Sequence, residues 1–209
     1  MPFITISRMY GSGGSEVAQI VARSLGWTLY DNEIVDAIAE RSGLTRAQVS
    51  AQEERVPSLV ERISGAFALG TPEAMPPLPD GQPATTEEEI VATTKRVIDD
   101  AVSRGPAVFV GRGAQCLLAE RIDGLHVFCY APPAALIAYA RDRRGIPARD
   151  AEKAVADMNK QREQYVRRHW SRNWMSLSNY HLCLDTSFHG IERSGQMVVD
   201  AARSKFSVS

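Results

Sequence analysis

Residues 7–18, SRMYGSGGSEVA, resemble a phosphate-binding loop that lacks its lysine. In the Walker A pattern, G-x-x-x-x-G-K-[ST], Gly13 and Ser15 supply the closing glycine and the hydroxyl. Gly14 stands at the lysine position and Arg8 at the opening glycine position. Three readings follow: a phosphoryl-transfer loop whose charge comes from elsewhere, a loop that only binds phosphate, or a glycine-rich turn without a ligand.

A phosphate loop points successive backbone N–H groups at its ligand, with a helix N-terminus behind the phosphates. Glycines suit this geometry because they adopt positive φ and let the ligand approach the backbone closely. The residues expected to hold the ATP phosphates are Gly11, Ser12, Gly13, Gly14 and Ser15. The Ser15 hydroxyl is the expected Mg²⁺ ligand. Arg8 replaces the missing lysine only if its guanidinium folds back over the loop, where its planar fork fits phosphate differently from an ammonium group.

Five short apolar runs alternate with helical segments along the chain. The predicted strands cover residues 3–7, 27–30, 107–111, 125–130 and 180–184. Apolar residues recur at helical spacing after the glycine loop until Gly26 ends the helix, and a long helix is predicted over about 150–168. Strands that alternate with helices predict a parallel sheet covered on both faces. The glycine loop then lies between the first strand and its helix, which is the context that phosphate binding needs.

Composition and charge narrow the class of protein. The 209 residues carry a formal net charge of −1, with 44% hydrophobic and 23% charged residues, which is typical of globular proteins. A nearly neutral chain argues against broad binding to nucleic acid or anionic membranes. With three cysteines, no apolar run long enough to cross a bilayer and no secretory leader pattern, we expect a cytoplasmic protein with reduced thiols.

Six segments carry a resemblance to one known family. In chain order they are ISRMYGSGG (6–14), LYDNEIV (29–35), VFVGRGA (108–114), HVFCYAP (126–132), KQREQY (160–165) and NYHLCLDTS (179–187). On these segments the chain resembles the cytidylate kinase-like family, a branch of the nucleoside monophosphate kinases. The resemblance implies a P-loop NTPase fold of the α/β class, with three α/β/α layers, a five-stranded parallel sheet, a monophosphate-binding insert and a helical lid.

The same resemblance implies how one domain over 1–209 is divided. The core is expected to cover 1–30, 105–135 and 176–209, the acceptor-binding insert about 31–104, and the lid about 136–175. The proline-rich and glycine-rich stretch at 65–84 falls within the insert and is predicted to be a long loop.

The activity that the resemblance implies is transfer of the γ-phosphoryl group of ATP, bound with Mg²⁺, to a nucleoside monophosphate, with CMP or dCMP first. In this family the loop normally reads G-S-G-G without the lysine, as here, and Ser15 is often arginine. Two alternatives remain open: a catalytically weak nucleotide-binding regulatory protein, and a P-loop kinase for another small acceptor. Small-molecule nucleotides are the expected partners, without nucleic acid or membrane, and the sequence leaves the oligomeric state open.

Three charged residues are candidates for holding the acceptor. Arg112, in VGRG at the end of the third strand, lies where α/β sheets place ligands, and the resemblance implies that it holds the acceptor phosphate. Asp31 resembles the aspartate that opens the monophosphate-binding segment, and a helix N-terminal carboxylate is the alternative. Arg41 is a further candidate for the acceptor phosphate, and a solvated surface position is its alternative.

The predicted lid departs from the family pattern at three positions. Arg162 is in register with the family's D-x-x-R motif, so the resemblance implies that it reaches the transferring phosphoryl group. The aspartate of that motif is Asn159 here, and Leu136 and Tyr139 stand where relatives often place arginines. The sequence therefore leaves open how efficient catalysis is, and Arg8, Arg112 and Arg162 are the residues expected to act in it.

Basic residues elsewhere in the lid have two interpretations. Arg141 and Arg144 belong to a basic cluster. Either this cluster supplies the positive charges that relatives often carry at positions 136 and 139, or the lid lacks those charges. Arginines around Tyr165, Trp170 and Trp174 form a basic and aromatic stretch, which also occurs in single-stranded nucleic-acid sites. On a nearly neutral chain we favour a lid that packs its aromatic side chains.

Overall fold

A computed structural model describes residues 1–31 and 87–207, and for residues 87–90 it describes only the backbone. The elements are β1 Phe3–Arg8, α1 Gly14–Leu25, β2 Thr28–Tyr30, α2 Glu87–Arg104, β3 Ala107–Val110, α3 Ala114–Leu117, β4 Gly124–Tyr130, α4 Pro133–Arg144, α5 Ala148–Trp170, a 3₁₀ turn Leu177–Asn179, β5 Leu182–Asp185, α6 Thr186–His189 and α7 Ile191–Phe206.

The described strands form one five-stranded sheet in the order β2-β3-β1-β4-β5, and every pairing is parallel. β1 lies at the centre, where Phe3 is opposite Ala107 of β3 on one side and Gly124 of β4 on the other. Parallel strands need crossover connections, and in the described part of the chain helices supply them. The predicted parallel sheet is confirmed.

Alternate residues of β1 pack on opposite faces of the sheet, because side chains alternate along a strand. Phe3 packs with Ile98 of α2 on one face. Ile4 packs with Val21 of α1 and Val198 of α7 on the other. All five side chains are fully buried, and each contributes roughly 1.5–3 kcal/mol to folding through apolar burial. The sheet therefore lies between two helical layers, and both layers hold the strand ends in place.

Helix α1 begins and ends at glycines that the sequence singles out. Gly13 precedes its first residue with φ +69°, and Gly26 ends it with φ +66°. Val17, Ala18 and Val21 form its buried face. Because this face packs on the sheet, the N-terminus of α1 is held at the C-terminal end of β1.

The fifth strand begins two residues later than its apolar run predicts. Tyr180 closes the 3₁₀ turn, since its N–H donates to the Leu177 carbonyl at 3.0 Å. Its hydroxyl donates to the Trp174 carbonyl at 2.8 Å, which turns the side chain into a separate aromatic cluster. Pairing of β5 with β4 starts at Leu182, so the predicted strand 180–184 is wrong at its first two positions.

Helices α4 and α5 occupy the segment predicted as the lid, with Tyr165 and Trp174 buried in one aromatic cluster. Of the predicted insert, 31–104, only Asp31 and α2 fall among the described residues, and the loop predicted at 65–84 lies outside them. No helix in the described ranges combines the length and the apolar character that crossing a bilayer requires.

Candidate functional site

The glycine loop lies at the C-terminal edge of the sheet, directly before α1. The Val17 N–H donates to the Gly13 carbonyl at 3.0 Å, so the first helical turn starts within the loop. A pocket opens over this turn. Among the residues that line it are Arg8, Gly11, Gly13, Gly14, Ser15, Asp31, Tyr139, Arg144 and Arg162. The fold thus brings four of the five predicted loop residues, all except Ser12, together with three of the predicted arginines.

The loop backbone is held by side chains from its surroundings. The Ser12 hydroxyl donates to the Met9 carbonyl at 2.9 Å, so this side chain is turned inward and buried. The Ser12 carbonyl in turn accepts from the Thr186 hydroxyl of α6 at 2.6 Å. From the other side, Arg162 Nη1 donates to the Arg8 carbonyl at 2.8 Å. These bonds link the loop region to both α6 and α5.

Arg8 ends β1 and reaches across the neighbouring strand. Its Nη2 lies 3.9 Å from Oδ1 of Asp31, which follows β2, and its Nη1 packs on Gly111, which follows β3. Its Cβ and Cγ pass beside Gly14. Only 19% of the Arg8 side chain is exposed. The guanidinium is therefore held at the edge of the sheet, between the ends of β1 and β2.

Arg112 is held in a conformation that few non-glycine residues adopt. Gly111, Arg112 and Gly113 have φ of +72°, +56° and +67° in succession. For arginine this left-handed conformation costs about 1–2 kcal/mol. Burial, and secondarily the nearby charge of Arg8, lower the pKa of Arg112 to about 10. Arg112 therefore remains a cation at neutral pH, and an anion bound beside it would relieve its repulsion with Arg8.

A second pocket lies next to the one over the glycine loop. Its lining includes Ser7, Arg8, Gly111, Arg112, Gly113, Gln115, Arg162, Tyr165, Val166 and Trp174. We call this the Arg112 pocket and the first one the loop pocket. Arg8 and Arg162 line both. The two pockets therefore share two basic residues.

Helix α4 contacts the loop through Tyr139. The Tyr139 hydroxyl donates to the Glu16 carboxylate, in the first turn of α1, and Arg144 Nη2 lies 4.0 Å from the same Glu16 oxygen. Burial and this carboxylate raise the pKa of Tyr139 to about 12. Leu136, also on α4, is buried, and its carbonyl packs on Gly11. The predicted lid thus rests on the loop through these contacts.

The structure does not bring every candidate to the site. Arg141 is exposed, forms two hydrogen bonds with the neighbouring Asp142 at 2.6 and 3.0 Å, and lines neither pocket. Arg144, on the same helix, lines the loop pocket. Arg41 lies outside the described residues.

The oxygens of the loop pocket fit Mg²⁺. Ser15, Glu16 and Asp31 all line this pocket, and hydroxyl and carboxylate oxygens are the ligands that Mg²⁺ takes. In the ranges that the structure describes, no three His, Cys, Asp or Glu side chains come together as a metal site.

Comparison with known proteins gives the chain its family. Residues 3–188 match the model of the cytidylate kinase-like family. The chain belongs to this family. As a cytidylate kinase-like protein it is 24% identical over 201 residues to the cytidylate kinase of Aeropyrum pernix, covering 96% of this chain and 98% of that one.

Solved structures share the fold of this cytidylate kinase-like chain. An uncharacterized protein from Eubacterium ventriosum has a TM-score of 0.69 at 17% identity, covering 98% of this chain and 99% of the other. Shikimate kinase from Acinetobacter baumannii, solved in complex with shikimate, has a TM-score of 0.53 at 16% identity, covering 98% and 94%. With the sheet described above, these confirm the predicted P-loop NTPase fold. Family and fold together support an ATP-dependent phosphotransferase.

Three residues of the site are absent from the sequence-based candidates. Glu16 contacts α4 through Tyr139, Thr186 donates to the loop carbonyl at Ser12, and Gln115 lines the Arg112 pocket. For Thr186 a signal exists, because it falls in the segment LDTS that matches the family. For Glu16 and Gln115 the sequence offers no signal, since an acidic first turn and a glutamine after a strand are common.

Proposed function

We propose that the protein transfers the γ-phosphoryl group of ATP to a nucleoside monophosphate, with CMP or dCMP as the first candidates. The observation that carries this proposal is the position of Arg8 and Arg162, which line both the loop pocket and the Arg112 pocket. A donor with its phosphates on the glycine loop and an acceptor phosphate at Arg112 would meet between these two guanidinium groups.

The charges of the site suit a transfer between two anions. Donor and acceptor bring several negative charges into one cleft, and arginines held in place before binding stabilise that charge without reorganisation. Arg112 would hold the acceptor phosphate, while Arg8 and Arg162 would contact the transferring group. The loop N–H groups at Gly13 and Gly14 would hold the donor phosphates at the N-terminus of α1. Mg²⁺, bound with the nucleotide near Ser15, would neutralise charge on the β- and γ-phosphates.

The division of the chain into core, insert and lid is part of the same proposal. Closure of α4 and α5 over the loop pocket would exclude water from the reacting groups. Asp31, at the start of the insert, lies beside Arg8 and would orient the acceptor from the end of β2. The cytidine preference rests on the family and on the Aeropyrum pernix relative, whose name is cytidylate kinase.

A panel of acceptors tests this function. Purified protein is incubated with ATP-Mg²⁺ and CMP, dCMP, UMP, AMP, GMP or shikimate, and nucleoside diphosphate and ADP are measured. Formation of CDP or dCDP above the other products supports the proposal. If only a different acceptor is phosphorylated, the protein is a kinase with another substrate. If ATP binds but no acceptor is phosphorylated, the protein is a nucleotide-binding regulatory protein.

Arg162 and Arg112 offer a sharper test of the two pockets. Arg112→Ala should raise the KM for the acceptor by at least about tenfold with a smaller change in the KM for ATP, because a charged hydrogen bond contributes roughly 1.5–3 kcal/mol. Arg162→Ala should lower kcat with both substrates saturating. Arg203→Ala, in the last turn of α7, is the matched control.

A further inference from the structure

Arg8 and Gly14 exchange residue types relative to the Walker A pattern, and the structure puts them in contact. The pattern has glycine at position 8 and lysine at position 14, whereas this chain has arginine and glycine. A β-carbon on Gly14 would lie 2.5 Å from Cβ and 3.0 Å from Cγ of Arg8. It would also lie 3.1 Å from Cβ of Cys129.

At these distances any larger residue at position 14 would clash with Arg8 unless the backbone shifts. The left-handed φ that requires glycine elsewhere in the loop does not occur at Gly14, so space is the reason for glycine here. Two carbons at 2.5 Å overlap deeply, because optimal contact between carbon atoms is about 3.5–4.0 Å. A lysine at 14 and an arginine at 8 are therefore mutually exclusive.

Neither β1 at Arg8 nor the start of α1 at Gly14 can move away from the other to relieve this overlap. Arg8 is opposite Cys129 in the central pairing of β1 with β4, and Ile6, two residues earlier, is opposite Val110 of β3. The start of α1 is held on the sheet by Val17, which is fully buried in the same cluster as Ile4 and Ile6. The overlap would have to be relieved by displacing a central strand or a packed helix.

The Arg8 side chain uses the space that Gly14 leaves. Its stem passes beside Gly14, and its guanidinium lies on Gly111, where a β-carbon would collide with Nη1. Two glycines, one after β3 and one in α1, thus clear the path of one arginine. That path ends on the boundary between the loop pocket and the Arg112 pocket.

We propose that this exchange is compensatory: Arg8 supplies from the β1 side of the loop the cation that lysine supplies from the α1 side in Walker A loops, and Gly14 is the steric condition for it. The inference rests on the proposed function, because it assigns Arg8 to the phosphates of the donor. It predicts that positions 8 and 14 can be changed together but not separately.

A cycle of variants compared by stability tests whether Arg8 requires glycine at position 14, and it does not depend on activity. The proteins are wild type, Arg8→Gly, Gly14→Ala and the double variant, compared by thermal unfolding. Gly14→Ala should lower Tm by about 2–12 °C, since overpacking costs about 1–3 kcal/mol, and by much less in the Arg8→Gly background, where only the contact with Cys129 Cβ at 3.1 Å remains. Gly105→Ala, where a β-carbon meets nothing within 4 Å, should have the same effect in both backgrounds. Additive effects of Arg8→Gly and Gly14→Ala overturn the inference.

A second cycle of variants tests whether Arg8 supplies the cation that binds the donor phosphates. The affinity for ATP-Mg²⁺ is measured by calorimetry. Arg8→Gly should weaken binding by about 10- to 100-fold, the range for losing a hydrogen bond to a charged group. Gly14→Lys should bind poorly or unfold. Arg8→Gly combined with Gly14→Lys, which rebuilds G-x-x-x-x-G-K-S, should recover most of the affinity. A double variant that binds no better than Arg8→Gly overturns the inference.

The two cycles separate this inference from the proposed function. If the wild type binds ATP-Mg²⁺ but phosphorylates no acceptor, the proposed function fails, and the four affinities still decide whether Arg8 replaces the lysine. If the wild type transfers phosphate and the double variant shows no recovery, the kinase stands and the exchange fails. A wild type without measurable ATP affinity contradicts both.

Discussion

The backbone N–H of Tyr10 donates a hydrogen bond to Oδ1 of Asn159 at 2.7 Å, joining the glycine loop to α5. One turn further along α5, Arg162 donates to the Arg8 carbonyl at 2.8 Å. A backbone N–H can only donate, so the oxygen of the Asn159 amide must face it. The helix therefore holds the residues before and within the loop by two bonds of opposite direction.

We expect Asn159→Ala to weaken ATP binding by about threefold to tenfold, because the Tyr10 N–H loses an acceptor worth roughly 1 kcal/mol and the loop is less ordered. Asn159→Asp, which restores the aspartate of the family motif, keeps an acceptor oxygen and should stay within about threefold of the wild type. Protection of the Tyr10 amide in hydrogen exchange should be lost in the first variant and kept in the second.

The control for this pair is Lys160→Ala, an exposed change on the same helix. It should leave the ATP affinity and the exchange of the Tyr10 amide unchanged. Equal loss of affinity in Asn159→Asp and Asn159→Ala would show that the amide nitrogen or the side-chain shape matters, and not the acceptor oxygen.

The free-energy cost of the left-handed backbone conformation at Arg112 can be measured with two variants. Arg112→Ala and Arg112→Gly both remove the guanidinium, but only glycine adopts φ near +56° without penalty. The glycine variant should be more stable than the alanine variant by about 1 kcal/mol, or roughly 2–4 °C in Tm. Both should lose acceptor binding to the same extent.

Thermal unfolding and acceptor KM, measured on the same preparations, check this prediction. Ala114→Gly, at the start of α3, serves as the control for adding a glycine where no positive φ is present, and it should destabilise. If Arg112→Gly were the less stable of the two arginine variants, the left-handed conformation would carry no measurable strain.

Much of the fold can be predicted from local sequence patterns. Strands buried on both faces are continuous apolar runs, and helices have apolar residues that recur at helical spacing. The runs predicted at 3–7 and 107–111 correspond, within one residue, to the inner strands Phe3–Arg8 and Ala107–Val110. The error at Tyr180 has a different origin: an aromatic residue looks the same in a strand and in a separate cluster. Its hydroxyl partner, the Trp174 carbonyl, depends on a turn that no local pattern indicates.

The site was harder to predict than the fold, since its contacts join distant parts of the chain. Sequence placed Gly14 at a missing-lysine position but could not show that Arg8 Cβ occupies the space beside it. Asn159 read as a departure from a motif, whereas its oxygen accepts a loop hydrogen bond. Nothing in the sequence marks Glu16 as a site residue, because its partner Tyr139 is 123 residues away.

A buried histidine outside the site makes stability depend on pH. His126 of β4 is 4% exposed, its Nδ1 pairs with the Thr5 hydroxyl at 2.7 Å, and its backbone N–H donates to Nδ1 of His181 at 2.9 Å. Burial, and secondarily His181, lower the pKa of His126 to about 4. Burial also lowers the pKa of His181. Both rings are therefore neutral in the folded protein at pH 7.

Because the folded pKa of His126 lies below its ordinary value of 6.5, the unfolded chain takes up a proton first as the pH falls. The contribution of His126 to the free energy of unfolding is therefore fully present above about pH 6.5. It is lost as the pH falls from there to about 4, by about 3 kcal/mol in total. Urea unfolding at pH 7, 6, 5 and 4.5 should show the decline. His126→Gln should make the decline shallower and leave the smaller part that His181 contributes, whereas His189→Gln should not change it.

Arg144 and Arg141 lie on one helix, and only Arg144 lines the loop pocket. Their side chains are similarly exposed, 49% and 53%, and each carries one positive charge. Arg144 lies 4.0 Å from Glu16 and lines the loop pocket, whereas Arg141 is paired with Asp142. Replacing either by alanine therefore changes the net charge equally and differs only in position.

We expect Arg144→Ala to weaken ATP-Mg²⁺ binding by about threefold to tenfold and Arg141→Ala by less than about twofold, since an exposed ion pair contributes about 0–1 kcal/mol. The Arg144 effect should shrink at high salt, because a half-exposed cation near phosphate is screened over about 8–10 Å. Titration calorimetry at 50 and 300 mM salt measures both. Equal losses in the two variants would indicate a general effect of charge, and the assignment of Arg144 to the donor site would then be wrong.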